Sequence, residues 1–167
     1  EKNEVLNFIS ESDALTGCMN RRGFIEKTLQ MNRDHEGEEL LILFADLDHL
    51  KEINDSFGHI EGDFSIRHCA EVLKKVVGAD GIVGRIGGDE FCVVTLGNLK
   101  DGQQIIERIR EESDAFNCTS DKEYYVELSA GCTSVICRNG LVIADALREA
   151  DRALYEVKKL RRNSVKK

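Results

Sequence analysis

The apolar positions of this chain fall into segments of two different periods. Residues 40–45 form an unbroken apolar run, LLILFA. A run of that length without polar alternation predicts a central strand covered on both faces. Residues 81–86 and 91–96 are shorter apolar segments around Gly87-Gly88-Asp89-Glu90, the pattern of a hairpin with a four-residue tip. Residues 125–136 alternate well enough for another strand. Other segments repeat at helical spacing. Asn20 predicts the cap of a helix running to about His35, with Phe24, Ile25 and Leu29 inward. A short helix is expected near residues 49–57. After a glycine-containing turn a longer one covers 63–77, with Ile66, Cys69, Ala70, Leu73 and Val77 in register. Residues 101–116 and 143–160 complete the set, the last with Ile143, Leu147, Ala150, Leu154 and Val157 on one stripe.

From the first strand onward the order is β-α-α-β-β-α-β-α, which an α/β (α+β) domain with a mixed sheet and helices on one or both faces satisfies economically. No repeat, linker or low-complexity stretch interrupts it, and the chain has no proline. Residues 1–12, with Val5, Leu6, Phe8 and Ile9 among charges, read as the end of an upstream helix, and 13–167 as the domain. The basic tail 161–167 reads as a short strand or a frayed end.

Composition narrows the class. A chain of 167 residues, 41% hydrophobic and 32% charged, can bury one core. A net charge of -8 argues against a nucleic-acid-binding surface. It leaves room for a nucleotide, which needs only local cations, backbone N–H groups or a metal ion. No apolar run reaches the roughly 20 residues that span a bilayer, so no membrane contact by this domain is expected. The six cysteines contain no CxxC pair and read as buried free thiols of a reducing compartment. The expected location is cytoplasmic, the cytoplasmic part of a larger membrane-bound bacterial protein included.

The chemistry concentrates in acidic positions. Asp46 ends the fully apolar run, at the C-terminal strand edge where α/β sites commonly sit. It also suits a turn, and Asp48 a helix N-cap. Gly87 and Gly88 lack a Cβ, so a ligand can approach the backbone closely, while Asp89 and Glu90 supply hard oxygen ligands suited to Mg²⁺. The same four residues also suit a solvated turn. If the hairpin pairs beside the first strand, Asp46 faces the tip, and three carboxylates could share two metal ions. Lys51 and Asn54 lie on one helix face, and Asn54 with Asp63 offers an amide and a carboxylate that suit a guanine edge. The first turn near His49 and Leu50 would present N–H groups to phosphate. Lys158 and Arg162, four apart on the last helix, face either a triphosphate or solvent.

Gly87-Gly88-Asp89-Glu90-Phe91, with "DALTGCMNRRGF" from Asp13, "ADLDHLKEINDSFGHIEGD" from Ala45, "LSAGCT" from Leu128 and "EADRALYEVKKLRRN" from Glu149, resembles the GGDEF family of diguanylate cyclases over nearly the whole chain. The resemblance implies a five-stranded mixed sheet surrounded by helices, like the palm of nucleotide polymerases and adenylyl cyclases. It implies condensation of two GTP molecules into cyclic di-GMP with release of pyrophosphate. Asp46, the carbonyl of Leu47, Asp89 and Glu90 would bind Mg²⁺, two ions per site, with Mn²⁺ as an acceptable substitute. Asp89 would accept the 3′-hydroxyl proton, and Lys51 would stabilise the transferring phosphate. Asn54 and Asp63 would read guanine with His59 nearby; Lys158 and Arg162 would hold the triphosphate. Asp13 and Arg21 would pair to fix the leading helix.

The departures from the family pattern are specific. An inhibitory RxxD motif would fall on residues 78 and 81, which here are Gly78 and Gly81. Without the arginine, bidentate capture of product is lost. Ile86 replaces an aromatic, Arg161 a glycine and Cys18 a leucine. One site holds half of the reaction, so a homodimer is required for turnover, and an upstream sensory or regulatory domain would govern that meeting. The alternative is a catalytically silent GTP-binding or dimerising module; a third reading keeps the enzyme but makes a mixed cyclic GMP–AMP.

Overall fold

The computed structural model describes residues 11–164, with side chains through Leu160. Of the upstream helix end expected over residues 1–12, residues 1–10 lie outside the described residues; Glu11 is helical and Ser12 already bridges to Met19. In chain order the elements are α1 (Arg21–Asp34), β1 (Glu39–Leu47), α2 (Leu50–Phe57), α3 (His59–Val77), β2 (Ile82–Arg85), β3 (Glu90–Leu96), α4 (Leu99–Thr119), β4 (Leu128–Ile136) and α5 (Ile143–Ser164).

The strands form one sheet in the order β2-β3-β1-β4, and every neighbouring pair is antiparallel. The α+β class is as expected, with four strands among the described residues where five in a mixed sheet were expected. The one parallel pairing described is a single bridge, Met19 to Gly84 at the β2 edge. Of the basic tail, Arg161 to Ser164 continue α5, where a short strand or a frayed end was expected.

The unbroken apolar run is the middle strand, and its two faces enter two cores. Leu41, Leu43, Ala45 and Leu47 pack with Ile66, Cys69, Leu73, Ile109 and Phe91 toward α3 and α4. Leu40 and Ile42 pack with Phe24, Cys92, Val94, Ala146 and Ala150 toward α1 and α5. Burial on both faces explains the lack of polar alternation. On β4, α5 comes so close that a Cβ on Gly131 would stand 2.1 Å from the Leu154 backbone nitrogen.

β4 begins at Leu128 where 125 was expected, α4 runs beyond the expected 101–116 at both ends, and boundaries around α2 and α3 differ for identifiable reasons. Asn20 caps α1 as expected, its side chain accepting from the Gly23 amide. α3 begins at His59 rather than near Asp63. Gly58, with φ 89°, is at once the C-cap of α2 and the N-cap of α3, so the expected turn shrinks to one residue. Gly62 is a helical residue packed under Asn54, not part of the turn: a Cβ there would lie 1.9 Å from Asn54 Oδ1. Asp48 is not the cap of α2, a place taken by His49, the one non-glycine residue described with a positive φ, 61°. Four of the free thiols are buried as expected, while Cys118 is exposed and Cys132 half-buried.

Candidate active site

β1 ends beside the tip of the β2–β3 hairpin. Asp46 stands opposite Glu90 in the β1–β3 ladder, and the Leu47 amide donates to the Asp89 carbonyl at 3.0 Å. Residues directly opposite in an antiparallel pair share a face. Asp46 and Glu90 therefore extend the row of Phe44 and Cys92 on the α1/α5 side of the sheet. The polar end of that row meets α5 at Lys158.

Lys158 Nζ lies 2.5 Å from Asp46 Oδ1, 2.6 Å from Asp46 Oδ2 and 3.2 Å from Asp48 Oδ1. Asp48 Oδ2 accepts from the Ser129 hydroxyl at 2.5 Å. Burial pushes the Asp46 carboxyl above its ordinary value; the bond and charge of Lys158 oppose that, and repulsion from Asp48 and Asp89 adds to it. For Lys158, burial alone would lower the ammonium, but Asp46 and Asp48 carry it upward. Two carboxylates, Asp46 and Asp48, thus crowd one ammonium at the end of the central strand, and the charge of Asp89 is felt at Asp46.

Whether this site suits a divalent ion is a question of donors. Among the described residues no three His, Cys, Asp or Glu side chains gather closely enough around one point to hold a metal. The donor set itself fits: Asp46, Asp89 and Glu90 come from adjoining strand ends and offer hard oxygens. Asp46 Oδ1 is buried and in hydrogen-bond geometry with no described group, its short contact with Lys158 notwithstanding. A cation already lies against the Asp46 and Asp48 carboxylates.

The hairpin tip is held by a residue that sequence reasoning passed over. Arg85 donates through Nε and Nη2 to the Gly88 carbonyl at 3.1 and 2.8 Å. Its Nη1 lies 3.2 Å from both carboxylate oxygens of Asp13. Asp13 also accepts from the Thr16 amide at 2.9 Å and the Thr16 hydroxyl at 2.7 Å. Asp13 is therefore tied to Arg85, and not to Arg21 as expected. Arg21 lines an open cavity of about 500 Å³ with Phe44, Glu90, Leu147 and Asp151. Glu90 curls back over Gly87, where a Cβ would meet its Oε2 at 2.5 Å, whereas the space around Gly88 is open. The signal for Arg85 was its place two residues before the first glycine; for Ser129, its place in "LSAGCT".

The remaining residues lie along α2, α3 and α5. His49 and Leu50 sit at the start of α2, where no side chain caps the helix, and Lys51 is exposed on its first turn. Asn54 is half-buried on Gly62, with His59 and Asp63 exposed on the first turns of α3. Lys158 has joined Asp46, while the Arg162 side chain lies outside the described residues. Gly78 closes α3 with φ 79°. A Cβ on Gly81 would fall 1.9 Å from Val77 Cγ1, so this backbone has no ready room for an aspartate there.

Comparison with known proteins bears on the family. The family model "Diguanylate cyclase, GGDEF domain" matches residues 10–164. Diguanylate cyclase DgcP of Escherichia coli is 38% identical over 164 residues, 95% of this chain and 48% of that protein. Cyclic di-GMP phosphodiesterase NbdA of Pseudomonas aeruginosa is 31% identical over 163 residues, 96% of this chain and 21% of that protein. The chain thus spans about half the length, or less, of these curated relatives. Among solved structures, the coiled coil and GGDEF domain of DgcB from Caulobacter crescentus, in complex with c-di-GMP, superposes with a TM-score of 0.83 at 25% identity, covering 95% of this chain and 85% of that one. The sequence motifs, the antiparallel sheet with its acidic hairpin tip and the family match lead to one assignment: this chain belongs to the GGDEF family of diguanylate cyclase domains.

Proposed function

We propose that this chain, acting as a pair, condenses two molecules of GTP into cyclic di-GMP. The observation that carries the reading is the pairing of Asp46 with Glu90, with the Leu47 amide bonded to Asp89, which brings three carboxylate residues to one end of the sheet.

Asn54 and Asp63 read guanine, an amide and a carboxylate suiting its 2-amino and N1–H edge. His59 lies on the adjoining turn. The uncapped first turn of α2, at His49 and Leu50, offers amides to phosphate, and Lys51 adds a cation. Gly87 and Gly88 let the substrate approach the hairpin backbone. Asp46, the Leu47 carbonyl, Asp89 and Glu90 would hold Mg²⁺, two ions per site or Mn²⁺ in their place; this would neutralise phosphate charge and ease ionisation of the 3′-hydroxyl. Asp89 accepts the 3′-hydroxyl proton as that oxygen bonds to the α-phosphorus of the second GTP. The α–β phosphoanhydride bond breaks and pyrophosphate leaves with the electron pair. Lys51, Lys158 and Arg162 balance the charge on the departing group. A second attack with the roles exchanged closes the ring. Each domain presents one GTP, so two copies must face one another across a two-fold axis, under control of a regulatory region elsewhere in the full-length protein.

Turnover measured across protein concentration tests this, with product identified by mass. Cyclase chemistry gives a steeper than linear dependence, and Asp89→Ala lowers the rate by at least about a hundredfold. Concentrated protein that binds GTP in Mg²⁺ yet yields no cyclic dinucleotide would sink the reading. That result would favour the alternative, a catalytically silent GTP-binding or dimerising module. Competition between GTP and ATP in the same assay separates cyclic di-GMP from a mixed product.

A further inference from the structure

The turn that carries Asn54, His59 and Asp63 is clamped by a loop outside the sequence motifs. Glu61, on the first turn of α3, receives Lys122 Nζ at 2.7 Å and the Tyr124 hydroxyl on the same carboxylate oxygen. Lys122 and Tyr124 lie in the connection between α4 and β4. The Tyr124 ring packs against Phe57, the last residue of α2, with centroids 5.0 Å apart. Lys122 Nζ also stands 4.5 Å from the centre of the Phe64 ring, a cation–π contact. Two side chains of one loop thus grip both sides of Gly58: Phe57 before it, Glu61 and Phe64 after it.

The loop has a firm base. Asn117 at the end of α4 donates to the Val126 carbonyl at 3.0 Å and accepts from the Val126 amide at 2.9 Å. Val126 is 1% exposed and part of the larger core. The clamp is therefore tied to the core, and what it holds is a one-residue joint. Gly58 has φ 89° and no side-chain cap steadies the start of α3. Glycine is the residue with the least intrinsic resistance to rotation. The bonds to Lys122 and Tyr124 hold the Glu61 carboxyl below its ordinary value, so the ionised form that makes the grip is the favoured one.

We infer that Lys122 and Tyr124, acting through Glu61 and Phe57, are positioning residues that set the angle between α2 and α3, and so the spacing of Asn54 and Asp63 against the guanine base. The inference rests on the guanine-reading role proposed above for those two residues. Neither Lys122 nor Tyr124 needs to touch nucleotide. Their effect is to keep the amide and the carboxylate at one separation before the base arrives, which lowers the ordering cost of binding. Relaxing the joint raises KM for GTP and narrows discrimination against ATP, because adenine is rejected by groups held where only guanine satisfies them. The transfer step, built on Asp89 and Asp46, keeps its kcat.

The test is steady-state kinetics of the whole chain with Tyr124→Phe, Lys122→Met and Lys122→Arg, alongside melting temperature and amide hydrogen exchange without nucleotide. Tyr124→Phe removes one hydroxyl and keeps the ring, so it folds. Each of Tyr124→Phe and Lys122→Met is expected to raise KM for GTP about five- to tenfold, the size of one charge-assisted hydrogen bond. Both leave kcat within about twofold, and both speed exchange at residues 60–64. Lys122→Arg restores the wild-type KM. A wild-type KM in both deletion variants, or a fall in kcat alone, overturns the clamp while the nucleotide reading stands. Wild-type protein that binds no GTP overturns the nucleotide reading itself, and this inference with it; the exchange data then still report whether the loop holds the joint.

Discussion

A single guanidinium illustrates how much one residue can hold in this fold. Arg85 is mostly buried and bonds both the Asp13 carboxylate and the Gly88 carbonyl. Burial raises the Asp13 carboxyl, but its bonds to Thr16 and the charge of Arg85 outweigh that and leave it below its ordinary value of 3.8. A carboxylate depressed in the folded state gives stability that is present above the unfolded value and is lost as pH falls through the folded one. Asp13→Asn is therefore expected to lose about 1–2 kcal/mol at neutral pH. The gap to wild type should close as pH drops below the ordinary aspartate range. Denaturant titrations at pH 7 and pH 3 measure both ends, and an equal gap at the two pH values would count against the ion pair. At this scale the acidic residues were readable from sequence, because Asp46 interrupts an apolar run and Asp89-Glu90 follow two glycines. Arg85 and its partner were not, because they lie 72 positions apart with no local pattern to join them. The Glu61 pairings with Lys122 and Tyr124, 61 and 63 positions apart, were hidden for the same reason.

Among the elements, α5 matters most to the site because it delivers Lys158 to Asp46. It lies on β4 through Gly131, with backbone atoms where a Cβ would be. Backbone cannot swing aside as a side-chain tip can, so Gly131→Ala must lift the helix. We expect a loss of about 2–3 kcal/mol in a chemical melt, near the upper end for overpacking, and weakened contact between Lys158 and Asp46. A melt like that of wild type would show that α5 moves freely on the sheet. Element type was legible throughout: the middle strand from its lack of alternation, the helices from their stripes. Boundaries failed where glycine has two uses. Gly58 and Gly62 both look like turn residues in sequence; one is a shared cap with positive φ, the other a helical position kept bare for Asn54. The four strands read from the apolar segments are the four described; the five-stranded count came from the family resemblance and not from the periodicity.

At the level of the whole molecule, no helix among the described residues is long and apolar enough to cross a membrane. Control by product is a molecular property, and here the backbone speaks to it. Gly78 turns with positive φ at the end of α3 and Gly81 is packed against Val77, so neither a side-chain fork nor a carboxylate faces a ligand there. If the chain is the cyclase proposed above, initial rates should be unchanged, within about twofold, when cyclic di-GMP is added to about micromolar concentration. Strong inhibition, retained in a variant with Gly81→Ala, would reveal a product site elsewhere on the surface.

The link through Arg85 has one more consequence. A guanidinium is flat and stiff, and its donors leave at fixed angles. With one edge on Asp13 and another on Gly88, it acts as a strut between the point where the chain joins the sheet and the loop that bears Asp89. The two ends share a coordinate. The entry of the chain at Asp13 and the loop that bears Asp89 are therefore joined by one side chain, by a route that does not pass through the core.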